Sequence, residues 1–517
     1  MITFIKKNPD ILLSISLFLV FCPLIGLIDF PQNDDWVYYK MVRGFLNGNL
    51  GLDPLSAPTF YIQGGLGMLF SIFFSLRRLP YLTLGVSVLN FLIFTRIIKV
   101  FFKKDFTTSI LVGLLLFFNP IHVYSILGFM TENYLLFFLL LSLYFLLLYE
   151  RNKNPVLLFF CLFYWTLSFF VKQSAIVFLG SISMYFLSKR NYKIFIPTSF
   201  LLILSAVFYQ FVFPLTQEMK EKFLYPNHFT ENNYSLSFVY YFLLLLVCFC
   251  LPLIFIVVFN KYNVKKVVPL VVVTLLVFLT FTGVFHPETT RLREFPYFGN
   301  IFEREGFYPT GISGTKYHFR GMFDLNNTWD ITSKVFLLVL FAYLVVNIKK
   351  TWNLYSVFVG LYIALMLFTE VFFDRYLLIA LPFFILYLLS FKLTFSLAYK
   401  GVLACFILFL ASMAYQFSYE FVITNKYVWD RSEELVRFGV DPNKIKGTNA
   451  WKLSFRNLTK DYDYEFSWDD QNVDEIYSCC FELVDEKKVK FLGSIFVNPK
   501  VYLYKKVKPI PIPDPSR

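Results

Sequence analysis

The chain has 517 residues, of which 57% are hydrophobic, 21% aromatic and only 16% charged. Soluble proteins carry charges on roughly a quarter of their residues, so this composition excludes an ordinary soluble fold. The net charge of +13 does not indicate nucleic-acid binding, because the lysines and arginines form short clusters between apolar segments. The sequence therefore predicts an integral membrane protein without a nucleic-acid partner.

The basic clusters predict the topology, because lysine and arginine concentrate in the cytoplasmic loops of membrane proteins. The first apolar segment follows Lys6-Lys7 and lacks a small-residue cleavage site, so we expect it to stay as an uncleaved helix. With the basic clusters in the cytoplasm, about 13 spans form an all-α polytopic domain over residues 1–419. The predicted spans are residues 11–29, 81–101, 107–126, 133–149, 155–171, 174–188, 193–213, 237–259, 267–285, 335–348, 353–370, 376–391 and 402–419.

One apolar segment, Thr59–Leu76, does not fit this topology. It ends in Arg77-Arg78, as a cytoplasmic helix end would, and counting it as a span would invert every later loop. Three glycines within residues 64–67 also weaken a spanning helix. We therefore predict a re-entrant or interfacial helix here.

The same topology predicts that the long polar segments face the outside. They are the loops 30–80, 120–132, 214–236 and 286–334 and the C-terminal domain 420–517. Within that domain we predict a short helix near Trp429–Phe438 and strands at Val489–Val497 and Val501–Tyr504, separated by Asn498-Pro499. A small α/β outer domain is therefore expected.

Two acidic sites lie next to predicted spans on this outer side. Asp34 and Asp35, within Asn33-Asp34-Asp35-Trp36, follow the first span, and Glu132 immediately precedes the fourth. Each site alone fits a solvated helix start equally well, because a carboxylate caps a helix N-terminus and interacts favourably with its dipole. Together they place carboxylates on one side of the membrane at one depth, where an unused charge is costly.

Cationic residues are predicted on the same face. Lys172 interrupts an apolar stretch that is too long for one crossing, and Arg375 follows Asp374 at the start of the twelfth span. Lys172 could also be a lysine whose charged end extends to the membrane surface. Arg375 could form a local ion pair with Asp374, but arginine is also well suited to binding phosphate. Further candidate substrate contacts are Tyr38 in the first loop and Arg291, Arg293 and His318 in loop 286–334.

Sugar transfer from a polyprenyl phosphate would use this set of groups. The attacking hydroxyl must lose a proton to one carboxylate, while cations hold the departing phosphate. A phosphate leaves without being protonated, so one general base suffices, in contrast to glycoside hydrolysis with its two carboxylates. The second carboxylate would hold the site, orient the base or share a divalent metal ion, for which Asp34 and Glu132 are the candidate ligands.

The motifs resemble those of the superfamily C glycosyltransferases, closest to the branch with the protein O-mannosyltransferases and the lipid A aminoarabinose transferase. The resemblance covers about residues 10 to 390. Its motifs are Asp34-Asp35-Trp36, Met130-Thr131-Glu132, Lys172, and Asp374-Arg375-Tyr376-Leu377-Leu378 with Pro382.

The resemblance implies an inverting transfer from a polyprenyl-phosphate sugar, with a first-loop aspartate next to the reacting centre. By register after the first span that residue is Asp34, with Asp35 as the alternate. The chain departs from the family at residues 55–59, where Leu-Ser-Ala-Pro-Thr replaces a basic residue or histidine before a proline pair. The topology predicts that the site lies outside the cytoplasm, and we expect a prokaryotic inner or plasma membrane. The acceptor stays open, because a lipid, a glycan or a protein would each present a hydroxyl.

Two other functions stay open at this point. A polysaccharide ligase or polymerase uses the same lipid-linked substrates and commonly depends on arginine and histidine, which loop 286–334 supplies. A lipid or solute transporter also has many spans, but transporters commonly show internal repeats and ionisable residues near the middle of the membrane. The charges in this sequence cluster at span ends, which favours an enzyme at the membrane surface.

Overall fold

The computed structural model describes residues 9–32, 35–53, 56–57, 59–211, 234–259, 269, 272, 325–347, 351–367, 374–455, 462–467, 480–490 and 500–507. For residues 234–241, 325–331, 367, 374 and 417 it describes the backbone only. The structure is mostly helical (77%) with one small sheet. The described helices are α1 (Pro9–Gly26), α2 (Asp35–Leu46), α3 (Tyr61–Phe73), α4 (Leu79–Phe101), α5 (Phe106–Phe117), α6 (Pro120–Ile126), α7 (Thr131–Asn152), α8 (Pro155–Phe169), α9 (Ile176–Ser188), α10 (Tyr192–Phe211), α11 (Tyr234–Phe249), α12 (Leu251–Phe259), α13 (Leu325–Val346), α14 (Leu354–Leu367), α15 (Leu377–Leu389), α16 (Leu397–Arg437) and α17 (Asn449–Ser454).

Several of these helices are long and apolar enough to cross a membrane. Within the described ranges there are five, or seven if each of two bent helix pairs is one span. The five are α1, α4 with the 3-10 turn before it, α7, α10 and α16. The count of about 13 spans is therefore not confirmed. Most of the other predicted spans that are described are apolar helices of 10–17 residues, and residues 273–285 of the predicted span 267–285 lie outside the described residues.

The two bent pairs have a local cause. The predicted span 107–126 consists of α5 and α6, which meet at 66°. Asn119 lies at this break, where its side chain accepts a hydrogen bond from the Ile121 amide and Pro120 starts α6. Proline is favoured in a first helical turn and an asparagine cap starts a new helix, so the backbone cannot continue α5. The predicted span 237–259 bends by 80° before α12, whose second residue is Pro252.

Basic clusters from distant parts of the chain meet at one end of the helical bundle. Lys104 Nζ donates to the Leu393 carbonyl at 2.6 Å, and Lys400 pairs with Asp105 at 3.0 Å. The same end contains the hydrogen bonds from Trp352 to Ser188 (3.0 Å) and from Asn353 to Ser390 (3.1 Å). A shared end is what the charge pattern predicts. Which side of the membrane this end faces stays a prediction.

In its described residues, the C-terminal region contains a four-stranded sheet of β1 (Ile445–Lys446), β2 (Tyr464–Ser467), β3 (Phe481–Lys488) and β4 (Lys500–Lys506). The strand order is β1-β2-β4-β3, with β1 parallel to β2 and the other pairs antiparallel. The predicted strand Val501–Tyr504 is confirmed within β4. The predicted strand at 489–497 lies mostly outside the described residues, and its first two residues, 489 and 490, follow the end of β3 at Lys488. The strand β3 contains many charged residues, so its hydropathy does not indicate a strand.

The predicted short helix near Trp429–Phe438 is the end of the 41-residue helix α16. Because α16 is continuous, the sheet region follows directly on a helix that is long and apolar enough to cross a membrane. The ring of Trp429 stacks on Phe30, with 5.9 Å between centroids, and contacts Trp451 edge-on at 4.9 Å. Lys426 also pairs with Asp29 at 3.3 Å. The C-terminal region therefore packs against the residues that lead from α1 into the first loop.

Candidate functional site

The first acidic site lies at the start of α2. Asp35 is the first residue of this helix and is 1% exposed. Its Oδ2 accepts a hydrogen bond from the Phe129 backbone amide at 2.9 Å. A Cβ at Gly128 would overlap this carboxylate, so the absence of a side chain at position 128 allows the approach. Asp35 is therefore tied to the segment just before α7.

Polar side chains hold this segment from three sides. Gln63 of α3 donates to the Phe129 carbonyl at 3.0 Å, and Asn90 of α4 donates to the Asn133 carbonyl at 3.0 Å. Asn133 itself donates to the Ser125 carbonyl at 3.0 Å. Because a buried backbone group needs a partner, these bonds fix the start of α7 and with it the position of Glu132.

Glu132 lies in the first turn of α7 and pairs with two cations. Its Oε1 is 3.0 Å from Lys172 Nζ and 3.7 Å from Arg375 Nε. Lys172 lies in the extended connection after α8, and Arg375 lies in the 3-10 turn Asp374–Tyr376 before α15. The three side chains come from separate helix ends, and we name them the Glu132 cluster. In this cluster the Glu132 side chain is 2% exposed, Arg375 6% and Lys172 18%.

An aromatic ring completes the Glu132 cluster. Lys172 Nζ lies 4.0 Å from the centroid of the Tyr376 ring, a distance that allows a cation–π interaction. Tyr362 of α14 donates to the Tyr376 carbonyl at 3.0 Å and so holds the turn in place. Among the described residues Glu132 Oε2 has no hydrogen-bond partner.

The electrostatics of the Glu132 cluster follow from its burial. Removing a carboxylate from water costs several kcal/mol, so a buried glutamate stays charged only when cations and hydrogen bonds compensate. The N-terminal end of α7 adds a favourable dipole for the negative charge. Glu132 therefore holds two cationic side chains together at one point.

The predicted site residues divide into three groups. Asp35, Glu132, Lys172 and Arg375 belong to one region, because Asp35 bonds the backbone three residues before Glu132. Tyr38 stacks on Phe60 at 4.8 Å between centroids and is 8% exposed, so it is part of the core. The other predicted site residues lie outside the described residues. They are Asp34, Arg291, Arg293 and His318.

Sequence reasoning missed the residues that support the site. Gln63, Gly128 and Asn133 position the backbone around Glu132, and Tyr376 contacts Lys172. The sequence signal for Gln63 was its polar amide within the otherwise apolar segment Thr59–Leu76. No sequence signal pointed to Gly128, because the reason for a glycine there is the contact with Asp35, which exists only in the folded structure.

A metal site was predicted from Asp34 and Glu132. Within the described part of the chain, no group of three or more His, Cys, Asp and Glu residues could hold a metal ion. Asp34 lies outside that part, and Glu132 already binds Lys172 and Arg375. A divalent metal ion stays a prediction.

Neither a scan against models of protein families nor a search of curated proteins gave a match for this chain. The resemblance to superfamily C glycosyltransferases therefore depends on its motifs alone.

Proposed function

We propose that the chain is a membrane glycosyltransferase that moves a sugar from a polyprenyl-phosphate donor to an acceptor hydroxyl outside the cytoplasm. The observation that carries the proposal is the buried Glu132 cluster, in which one carboxylate gathers a lysine and an arginine from separate helix ends. Buried cations at a helix end suit an anionic group that is anchored in the membrane. A lipid-linked phosphate is such a group.

Each of these residues has a separate role in the proposed reaction. The acceptor oxygen forms a bond to the anomeric carbon, and the carbon–oxygen bond to the phosphate breaks with its electron pair leaving on the phosphate. Asp34 takes the proton of the acceptor hydroxyl as general base. Lys172 and Arg375 stabilise the charge that develops on the departing phosphate, and attack from the opposite face inverts the anomeric centre.

The two described carboxylates have positioning roles in this proposal. Glu132 holds the cations in place before the donor arrives, so that no reorganisation is needed during the reaction. The Asp35 carboxylate is buried and accepts the Phe129 amide, which suits it to orient the first loop. In this proposal the loop that Asp35 orients positions the adjacent residue, Asp34, as the general base.

Donor binding provides the direct test. A fluorescent polyprenyl phosphate is titrated into protein in nanodiscs, for the parent and for Lys172→Gln. We expect a weakening of about tenfold or more, because a hydrogen bond to a charged group contributes about 1.5–3 kcal/mol. Lys40→Gln is the matched control, since Lys40 pairs with Asp53 at 2.7 Å but is exposed. Equal affinity in all three proteins would exclude Lys172 from a phosphate site.

The base is tested separately from binding. In single-turnover transfer from a polyprenyl-phosphate sugar, Asp34→Asn is expected to lower the rate by roughly 10² to 10⁴-fold while donor binding survives. Asp35→Asn should act through folding of the loop and therefore change the unfolding temperature as well. A fully active Asp34→Asn with an inactive, stably folded Asp35→Asn would move the base by one residue. Full activity in both would reject carboxylate chemistry.

One observation favours a transporter as the second candidate. The pairs α5–α6 and α11–α12 are broken helices, and broken helices form substrate sites in many transporters. His122 is buried in α6 next to the first break, with Nδ1 2.9 Å from the Phe117 carbonyl. Proteoliposomes that move a labelled polyprenyl phosphate across the bilayer without any acceptor would support this function over sugar transfer.

A further inference from the structure

Four cationic residues have an unusual backbone conformation. Among the residues that the structure describes, those other than glycine with a positive φ are Lys103 (50°), Lys153 (57°), Arg190 (54°) and Lys392 (55°). All four are exposed, and each follows the end of a helix. A side chain makes this conformation unfavourable, so glycine is the usual residue at such a helix end. Strained residues cluster where a function requires the side chain, which directs attention to the charge of these four.

The tertiary structure brings two of the four together. Lys103 lies in the connection from α4 to α5, and Lys392 lies in the connection from α15 to α16. The residues that follow them are in direct contact, because Lys104 Nζ donates to the Leu393 carbonyl at 2.6 Å. Neither Lys103 nor Lys392 forms a salt bridge with a carboxylate in the described ranges. Two unneutralised charges therefore flank one contact between distant parts of the chain.

Exposed apolar side chains lie beside these lysines. The helices α5 and α16 pack against each other, and their first residues, Phe106 and Leu397, are 37% and 87% exposed. Lys400 of α16 pairs with Asp105, the cap of α5, at 3.0 Å and so joins the two helix starts. Since α16 is long and apolar enough to cross a membrane, its first turn lies near a membrane boundary.

We propose that this corner of the bundle, made of Lys103, Lys392, Phe106 and Leu397, binds one anionic phospholipid. The lipid phosphate lies between the two lysines, and an acyl chain lies along the two apolar side chains. Lysine charges attract anionic headgroups, and apolar side chains at the same depth match the start of the acyl chains. Because the lipid contacts both connections, it holds the starts of α5 and α16 together. The proposal is independent of sugar transfer and of the side that this end faces.

The stabilisation by lipid provides the test. Delipidated protein in neutral detergent receives phosphatidylglycerol or phosphatidylcholine, and the unfolding temperature is measured for each. Phosphatidylglycerol should raise the unfolding temperature of the parent more than phosphatidylcholine does. In the double variant Lys103→Gly with Lys392→Gly, this difference should fall by half or more. In phosphatidylcholine the same variant should unfold at an equal or higher temperature than the parent, because glycine adopts a positive φ without strain.

A matched control is available at the same end of the bundle. Lys153→Gly with Arg190→Gly removes the same charge and the same backbone strain but leaves the proposed corner intact. It should retain the effect of phosphatidylglycerol. An equal loss in both double variants would show attraction to a diffuse basic surface, and a full effect in Lys103→Gly with Lys392→Gly would show no role for these lysines. Either result overturns the proposed site. If the glycine pair is unstable in phosphatidylcholine, Lys103→Asn with Lys392→Asn replaces it, since asparagine also tolerates this conformation.

A second measurement separates a lipid from free phosphate. Glycerol phosphate, which has the anionic group but no acyl chain, should leave the unfolding temperature of the parent unchanged. Leu397→Gln should reduce the effect of phosphatidylglycerol, because it removes an apolar contact without changing charge. Stabilisation by glycerol phosphate equal to that by phosphatidylglycerol would reject a lipid as the occupant of the corner.

Discussion

At the scale of single residues, Glu132 is shared by two cations, and this has an energetic consequence. Glu132→Gln removes the compensating charge and should lower the free energy of unfolding by about 3–5 kcal/mol, as expected when one partner of a buried ion pair is lost. In a Lys172→Gln background the same change should cost less, because one cation is already gone. Denaturant unfolding of detergent-solubilised variants measures both values. The pair Lys40–Asp53, whose lysine is exposed, is the control, with a coupling of about 0–1 kcal/mol. Strict additivity at Glu132 and Lys172 would show that they do not interact.

Gly128 is the second residue on which the site depends. In Gly128→Ala the new methyl group would overlap the Asp35 carboxylate, so either the loop or the start of α7 must shift. We expect a loss of roughly 1–3 kcal/mol in unfolding free energy, as for other overpacked sites. Gly180→Ala in α9 is the matched control, because a Cβ there meets nothing within 4 Å. A thermal unfolding midpoint that falls equally in both variants would contradict the close approach of Asp35.

At the scale of elements, α3 offers a test within one helix. Gly67→Ala would press on Phe129 and Val42, whereas Gly65→Ala would meet nothing within 4 Å and adds helix propensity. We therefore expect Gly67→Ala to lower the unfolding temperature and Gly65→Ala to leave it unchanged or raise it slightly. Differential scanning fluorimetry in one detergent compares them. If Gly65→Ala is the more harmful variant, the buried face of α3 is assigned wrongly.

The connection before α5 gives a pH prediction. Burial raises the pKa of Asp105, but hydrogen bonds from Thr108 and the neighbouring Lys400 outweigh it and lower the pKa from 3.8 to about 2. Because the folded pKa is the lower one, Asp105 stabilises the fold above pH 3.8, and this contribution is lost as the pH falls through about 2.

The matched variant for this prediction is Asp105→Asn, which keeps an oxygen to cap α5 but has no charge to titrate. Unfolding temperatures measured from neutral pH down to the acid limit should fall more steeply for the parent than for Asp105→Asn. Parallel curves would show that Asp105 carries no native-state pKa shift. Asp105→Ala, which also lacks the cap, should lose about 0.5–2 kcal/mol at every pH.

At the scale of the whole molecule, the basic end of the bundle predicts its orientation. Reporter fusions at Asn152 and Asn263 should report cytoplasm, and a fusion at Asp441 should report the exterior, because lysine and arginine clusters are retained inside. The Glu132 cluster would then face outward. An exterior signal at Asn152 would reverse this orientation and with it the side from which the acceptor arrives.

The sequence by itself indicated a membrane protein and located several of its long apolar helices. Runs of apolar residues require a membrane or a large core, whatever the tertiary arrangement, so hydropathy alone predicted α1, α4 and α7. The charge pattern also predicted that distant basic clusters share one end, because each crossing must reverse the chain direction. Hydropathy and charge clustering can be read from the sequence because each depends only on neighbouring residues or on sums along the chain.

Only the tertiary structure decided the contacts of the site. Glu132 meets Lys172 and Arg375 because α7, the end of α8 and the start of α15 pack together, and no local pattern reports such packing. The break at Asn119 and the charged strand β3 also escaped a hydropathy reading, since caps and edge strands depend on hydrogen bonds rather than on apolarity. A sequence lists which side chains are present, but burial and the packing of separate helix ends determine which of them act together.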